Sequence, residues 1–277
     1  MGTTKTAKMR KPVKSSENFR YITIIAIIVI LFVLFSIISK GFLSFNTVMN
    51  IFRQAAAIAL AAIGMTFIML TGGIDLSVGA VIALSSATGA LTMQSMGGNM
   101  VLAGLVGILV TVMTAVGFGA LNGTAIGYMK IPPFIVTLAT MSLARGLTLT
   151  ITDSSRVIVD NALYNYVSQT DIGGKIPASM ILVIAAYIVA YLILSKTVFG
   201  RKTYSVGDNR MASKASGINV EKHTLSIYML SGVFIALATI VIVGRARSAQ
   251  PLAAIAMEFD VITAVVLGGT SLLGGQG

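Results

Sequence analysis

One acidic side chain stands inside a long apolar tract of this sequence. Between Gln54 and Met93, Asp75 is the only charged residue. A carboxylate at the centre of a membrane helix costs about 2.5–3.5 kcal/mol, so it needs solvent or a partner. Asp75 has three possible roles: a cap whose oxygen accepts from backbone N–H groups around Ser77 and Val78, a solvated turn residue at the inner membrane surface, or a proton relay.

Glycines interrupt the apolar sequence around Asp75, and a second interrupted run occupies residues 268–275. Paired glycine-interrupted apolar segments are typical of the places where transporters build their pathways. We therefore predict two helix breaks that act as gate elements. The residues assigned to them are Gly72, Gly73, Asp75, Ser77, Gly79, Gly268, Gly269 and Gly275.

Two more acids, Glu258 and Asp260, stand in a later apolar segment, a short distance after Arg245 and Arg247. Acids at such positions are hard to explain as lipid-facing. One interpretation is an internal ion pair with the arginines, which we favour for Asp260. The other is a polar patch at the outer mouth of the membrane that a delivering protein touches, which we favour for Glu258.

Other chemistries find little support. The chain has one histidine, His223, and no cysteine, so no metal site is predicted. His223 has polar neighbours and is expected to be solvated. Arg53 and Arg145 are expected to reach lipid headgroups. The run Gly200-Arg201-Lys202-Thr203 lacks the residue order of a phosphate-binding loop, so any ATPase must be another chain.

The composition indicates what kind of protein must position these residues. The 277 residues are 56% hydrophobic and 10% charged, with a mean hydropathy of +0.91. Soluble domains carry roughly 25% charged residues, so this is a polytopic membrane protein. Its net charge of +11 then reflects the membrane topology and contacts of basic residues with anionic lipid. Nucleic acid is not an expected partner.

The apolar runs predict an all-α transmembrane bundle with about eight membrane segments. We divide the chain into a basic cytoplasmic tail at 1–20 and a transmembrane domain at 21–277. The segment at 100–121 is rich in small residues and is expected to pack in the interior. The eight predicted segments are about 21–39, 48–70, 76–94, 100–121, 134–151, 178–195, 225–244 and 253–267.

Lysine and arginine predict the orientation. With the N-terminus inside, most of the 20 basic residues fall in cytoplasmic segments, chiefly 1–20 and 196–224. Cytoplasmic loops carry such an excess. The polar segment 152–177 then faces outside, and the break at Asp75 lies near the cytoplasmic side.

The loop at 196–224 can form a short amphipathic helix. Asp208 can cap it and Gly217 can end it, with Met211, Ala212 and Ala215 on one face. This helix either docks in a groove on a partner or lies on anionic lipid, and the spacing alone leaves both open.

Four stretches carry a family resemblance. They include Gly72-Gly73-Ile74-Asp75-Leu76-Ser77, Pro133-Phe134-Ile135-Val136-Thr137-Leu138, the loop at 207–220, and Arg247-Ser248-Ala249-Gln250-Pro251 with residues 265–277. In these stretches, which follow one another along nearly the whole sequence, the chain resembles the permease subunits of bacterial ABC sugar importers of the ribose, galactose and xylose group.

The resemblance implies the partners and the transport role. The implied partners are two copies of an ABC ATPase subunit that holds ATP and Mg²⁺, an extracytoplasmic sugar-binding protein, and a second permease copy or a related subunit. The binding protein is expected to touch Glu258 and Arg247. The assembly lies at the bacterial inner membrane. This chain holds no cofactor and is not an enzyme. The cargo is a ribose-like monosaccharide. The loop at 196–224 becomes the coupling loop, with docking to the ATPase expected of Gly207, Asp208, Asn209, Met211, Ala212, Ala215 and Gly217.

The chain departs from the group in two ways. Met211 and Ser213 replace an acid and an alanine of the coupling segment. Members of the group also continue past the second break with further spans, so we expect a C-terminally truncated chain. The alternatives are the same architecture with another cargo (a nucleoside, an autoinducer-like compound or a branched-chain amino acid), or an ion-coupled secondary transporter or channel.

Overall fold

The computed structural model describes residues 14–97 and 101–277, and this part of the chain is mostly helical. The predicted all-α class is confirmed. The predicted basic tail lies outside the described residues over 1–13, and its remainder is the start of the first helix. The helices are α1 Lys14–Ile38, α2 Phe45–Leu70, α3 Val78–Ser95, α4 Val101–Gly127, α5 Pro133–Ile151, α6 Ala162–Gln169, α7 Ala178–Lys196, α8 Val198–Asp208, α9 Arg210–Ala215, α10 Val220–Ala246 and α11 Met257–Leu267.

Each of the eight predicted apolar segments corresponds to a helix, but fewer than eight qualify as membrane spans. Within the described ranges, five helices are long and apolar enough to cross a membrane: α2, α4, α5, α7 and α10. The apolar part of α1 is shorter, and α3 and α11 have 18 and 11 residues. A full crossing takes ~20 apolar residues, and α3 and α11 each adjoin a glycine break. The count of about eight is therefore not confirmed.

The chain divides into two units, Met1–Val48 and Met49–Gly277. In the first, the turn after α1 folds back onto the helix. The ring of Phe42 lies 5.1 Å from that of Phe32 and 5.6 Å from that of Phe35, measured between centroids. Such offset and edge contacts between aromatic rings are favourable, and they hold the turn against the end of α1.

The second unit is built around the close packing of α4 on α10. A Cβ added at Gly119 would lie 2.3 Å from the carbonyl oxygen of Tyr228, and one at Gly123 would lie 2.8 Å from the Cα of Leu225. The approach is reciprocal, because Gly232 of α10 faces the backbone of α4 just as closely. Small residues permit such contact between helices in lipid, so the close packing predicted for the fourth segment is confirmed. Its interior position is not confirmed, because Leu105, Leu109 and Met113 of α4 are exposed.

The polar segment between α5 and α7 folds over one end of these helices. Strand β1 (Val157–Ile158) pairs antiparallel with β4 (Ser248–Ala249), and β2 (Asp171–Ile172) pairs antiparallel with β3 (Ile176–Pro177). Arg53 of α2 forms an ion pair with Asp171. Arg53 was expected to reach lipid headgroups, and the structure gives it a carboxylate partner in the same chain.

The expectation of a solvated His223 is also wrong. The side chain is buried, and its Nε2 lies 3.0 Å from the hydroxyl of Thr203. The ring of Phe199 packs against the imidazole at a centroid distance of 4.7 Å. Both contacts come from α8, which covers the start of α10. The polar neighbours of His223 in sequence did not reveal this cover, because it comes from 20 residues away in the chain.

Candidate functional site

The first glycine break begins where α2 ends, at Leu70. Gly72 has a φ of +76°, a conformation open to glycine at little cost. The chain then turns sharply, with the amide of Gly73 donating to the carbonyl of Ile68 at 3.1 Å. Helix α3 starts only at Val78. The predicted interruption of the helix is therefore present.

Asp75 is held inside this break. Its side chain is 2% exposed, and Oδ1 accepts hydrogen bonds from the amide of Ser77 at 2.8 Å and from the Ser77 hydroxyl at 2.5 Å. The Asn122 side-chain amide of α4 donates to the same hydroxyl at 3.1 Å. The predicted bond to Ser77 is confirmed, although the residue before α3 is Ser77 itself. Burial makes the solvated-turn interpretation wrong, while the proton relay stays a prediction.

The second break follows α11 and returns to the first. Helix α11 ends at Leu267, and Gly269 and Gly275 have φ angles of +112° and +73°. The amide of Gly275 donates to the carbonyl of Leu70 at 2.9 Å. A Cβ at Gly274 would lie 2.8 Å from the amide nitrogen of Gly72. The two breaks therefore touch each other backbone to backbone.

A third glycine lies at the point where the breaks meet. A Cβ added at Gly207 would stand 1.8 Å from the carbonyl oxygen of Leu70 and 2.5 Å from the amide of Gly275. One added at Gly275 would lie 3.0 Å from the Cα of Asp208. We call this contact the glycine junction, and define it as residues 70–73, 207–208 and 274–275. In the sequence, Gly72, Gly207 and Gly275 belong to predicted sites that are separate from one another.

The junction leads directly into the short helix predicted from the loop at 196–224. Helix α9 exists, but its cap is Asn209, whose Oδ1 accepts from the amide of Ala212 at 2.9 Å. The prediction that Asp208 is the cap is wrong, because Asp208 is the last residue of α8. Gly217, at φ +84°, ends α9 as predicted, and the amide of Ile218 bonds back to Ser213 at 3.1 Å.

The faces of α9 differ as the sequence predicts. Met211 is 80% exposed, and Ala212 and Ala215 are also exposed. Ser213 is buried, and its hydroxyl lies 2.7 Å from that of Ser205 in α8. The hydroxyl of Ser213 thus joins α9 to α8, and Met211 leaves an apolar side chain projecting outward.

The acids of α11 take opposite positions. Glu258 is buried, whereas Asp260 is exposed. In the described part of the chain no ion pair joins either acid to Arg245 or Arg247, so the predicted internal pair is wrong. Arg247 is exposed and donates to Gln169 Oε1 at 2.8 Å instead. Contact of Glu258 and Arg247 with a delivering protein stays a prediction, and Arg247 is the more accessible of the two.

The five helices that are long and apolar enough to cross a membrane indicate a multi-pass membrane protein. Residues 47–275 match the family described as branched-chain amino acid transport system / permease component. The chain belongs to this permease family.

The curated relatives are named as permeases for ribose import or allose transport. The chain is 42% identical over 250 residues to the ribose import permease protein RbsC of Bacillus subtilis, which covers 87% of this chain and 74% of that protein. It is 38% identical to the ribose import permease protein RbsC of Haemophilus influenzae, with the same coverage. Identity to the D-allose transport system permease protein AlsC of Escherichia coli is 33%, covering 100% of this chain and 85% of that protein. No solved structure matches the chain.

Proposed function

We propose that this chain is the membrane-spanning permease of an ATP-driven importer that passes a ribose-like monosaccharide into the cytoplasm. The choice of cargo rests on the ribose import permeases, which are 38–42% identical to this chain over most of its length. The family description names branched-chain amino acids instead, and this is the second candidate cargo. The sugar is favoured because relatives of this identity are named for ribose and allose.

The observation that carries the mechanism is the glycine junction. Gly207 contacts both breaks through its backbone, and Asp208 and Asn209 connect it directly to the exposed helix α9. Contacts between backbones cannot yield by rotating a side chain, and packed interfaces switch between discrete arrangements. A push on α9 therefore moves both breaks together.

The partners complete this mechanism. A separate ATPase chain, with its ATP and Mg²⁺, docks on the exposed residues Met211, Ala212 and Ala215, and its closure displaces α9. A binding protein delivers the sugar on the opposite side, near Arg247, and a second permease copy faces the first across the pathway. The N-terminus and α9 lie on the cytoplasmic side of the bacterial inner membrane, as the distribution of lysine and arginine indicates.

Reconstitution tests the proposal. The permease, its ATPase and its binding protein are placed in proteoliposomes, and uptake of radiolabelled D-ribose, L-leucine and adenosine is measured with and without ATP. We expect ATP-dependent uptake of ribose only. Uptake driven by an ion gradient in the absence of ATP would contradict the proposal, and ATP-dependent uptake of leucine alone would establish the second cargo.

A further inference from the structure

A cavity of about 430 Å³ lies beside the start of α3, at the middle of α5 and against the turn before α11. Ligand sites of small molecules have roughly 300–1,000 Å³, so its size suits one small molecule. It is distinct from the glycine junction. Its polar walls are Ser142, Arg145 and Glu258, and its apolar walls include Met141, Leu252 and Ile255.

Glu258 is a buried carboxylate that lacks a strong partner. It is 8% exposed, and no residue in the described ranges gives it a hydrogen bond or an ion pair within 4.0 Å. Its Oε2 lies against Gly79, where an added Cβ would be 2.8 Å away. The electrostatic attraction of the Arg145 guanidinium and the adjacent start of α3 offset part of its charge. The free carboxylate oxygens therefore suit a ligand that donates hydrogen bonds.

Arg145 is fixed in the wall of the same cavity. Its Nη1 donates to the carbonyls of Pro251 at 2.7 Å and of Ala253 at 3.1 Å. These bonds correct the expectation that Arg145 reaches lipid headgroups, and they hold its guanidinium beside the cavity. Within the described residues, its Nε and Nη2 have no hydrogen-bond acceptor, so donors remain for a ligand.

We propose that this cavity is a binding site for a neutral polyhydroxylated ring, a monosaccharide, and this inference rests on the proposed function. The carboxylate of Glu258 accepts from ring hydroxyls, the guanidinium of Arg145 donates to them, and charge-assisted bonds of this kind are the strong ones. Ser142 donates to the carbonyl of Leu138 at 3.2 Å and can still accept. Leu252 and Ile255 offer an apolar wall to the C–H face of the ring. The lining of the cavity holds one acid and one base, which favours a neutral ligand over an ion.

Two acids on one helix supply a matched comparison. Glu258→Gln keeps the shape and removes the charge inside the cavity, whereas Asp260→Asn makes the same change on the exposed side of α11. In proteoliposomes with the ATPase and binding protein, we expect Glu258→Gln to lower the rate of D-ribose uptake by about tenfold, as expected for loss of a charge-assisted bond. Asp260→Asn should retain the wild-type rate, and ATP hydrolysis should persist in both variants.

Cysteine labelling gives a second measurement that does not depend on whether the Glu258→Gln variant folds. The chain has no cysteine, so Ser142→Cys introduces one thiol at the cavity, and Thr150→Cys introduces one further along α5. We expect D-ribose, but not L-leucine, to slow methanethiosulfonate modification at 142 and to leave the rate at 150 unchanged.

Three results separate the two proposals. If the wild-type assembly imports no sugar, the proposed function fails. If it imports ribose while Glu258→Gln transports at the wild-type rate, the cavity is not on the route of the sugar. If Glu258→Gln does not fold, unprotected labelling of Ser142→Cys overturns the inference, and selective protection supports it.

Discussion

Alanine at position 207 tests the glycine junction most directly. The new Cβ would lie 1.8 Å from the carbonyl oxygen of Leu70, and contacts below 3.0 Å essentially never occur. The backbone at position 207 must therefore move about 1.2 Å away from Leu70. Such a strain on a packed contact costs about 1–3 kcal/mol. The added Cβ would also lie 2.5 Å from the amide nitrogen of Gly275, so it crowds the 2.9 Å bond that this amide donates to Leu70, and loss of that bond costs about 1 kcal/mol. We expect Gly207→Ala to cost about 2–4 kcal/mol in total.

The assay compares Gly207→Ala with Gly117→Ala by thermal unfolding of the purified protein and by ATP-dependent uptake. Gly117 lies in α4 with no atom within 4 Å of an added Cβ, so alanine there should be neutral or stabilise by about 0.5–1 kcal/mol. We expect Gly207→Ala to unfold at lower temperature and to lose uptake. Wild-type melting and uptake in Gly207→Ala would refute the idea that the two breaks and the loop move as one contact.

Two more substitutions test the break and the docking helix. Asp75→Asn retains an oxygen that can accept from Ser77, so it should leave the melting temperature nearly unchanged, whereas Asp75→Ala should cost about 0.5–2 kcal/mol; loss of uptake in a stable Asp75→Asn variant would indicate the proton relay instead. Ala212→Arg places a large cation on the exposed face of α9 and should abolish uptake while abundance in the membrane and melting stay as in the wild type. Normal uptake in Ala212→Arg would exclude docking through this face.

The apolar segments and their interruptions were predictable from the sequence because both are local. A helix needs a run of apolar residues, and glycines at 72–73 and 268–269 end such runs wherever the rest of the chain lies. The bond between Asp75 and Ser77 spans two residues, so it too could be predicted. The cap of α9 was misassigned by one residue, which is within the ordinary uncertainty of helix boundaries.

Contacts between distant segments could not be predicted from the sequence. His223 meets Thr203, Arg53 meets Asp171 and Arg145 meets Pro251 only because helices far apart in the chain pack together. The sequence predicts solvent or lipid around each of these residues, because a single sequence shows the polarity of a side chain and not what lies opposite to it.

The sequence by itself determined that this is a helical membrane protein of a permease family, with two glycine breaks and an exposed amphipathic segment. Only the tertiary structure decided that these three glycine-bearing segments meet, because backbone contacts leave no side-chain pattern to read. It also decided which acid of α11 faces inward. Residues two apart on a helix point about 200° away from each other, so at most one of Glu258 and Asp260 could face α3, and the packing of α11 places Glu258 there.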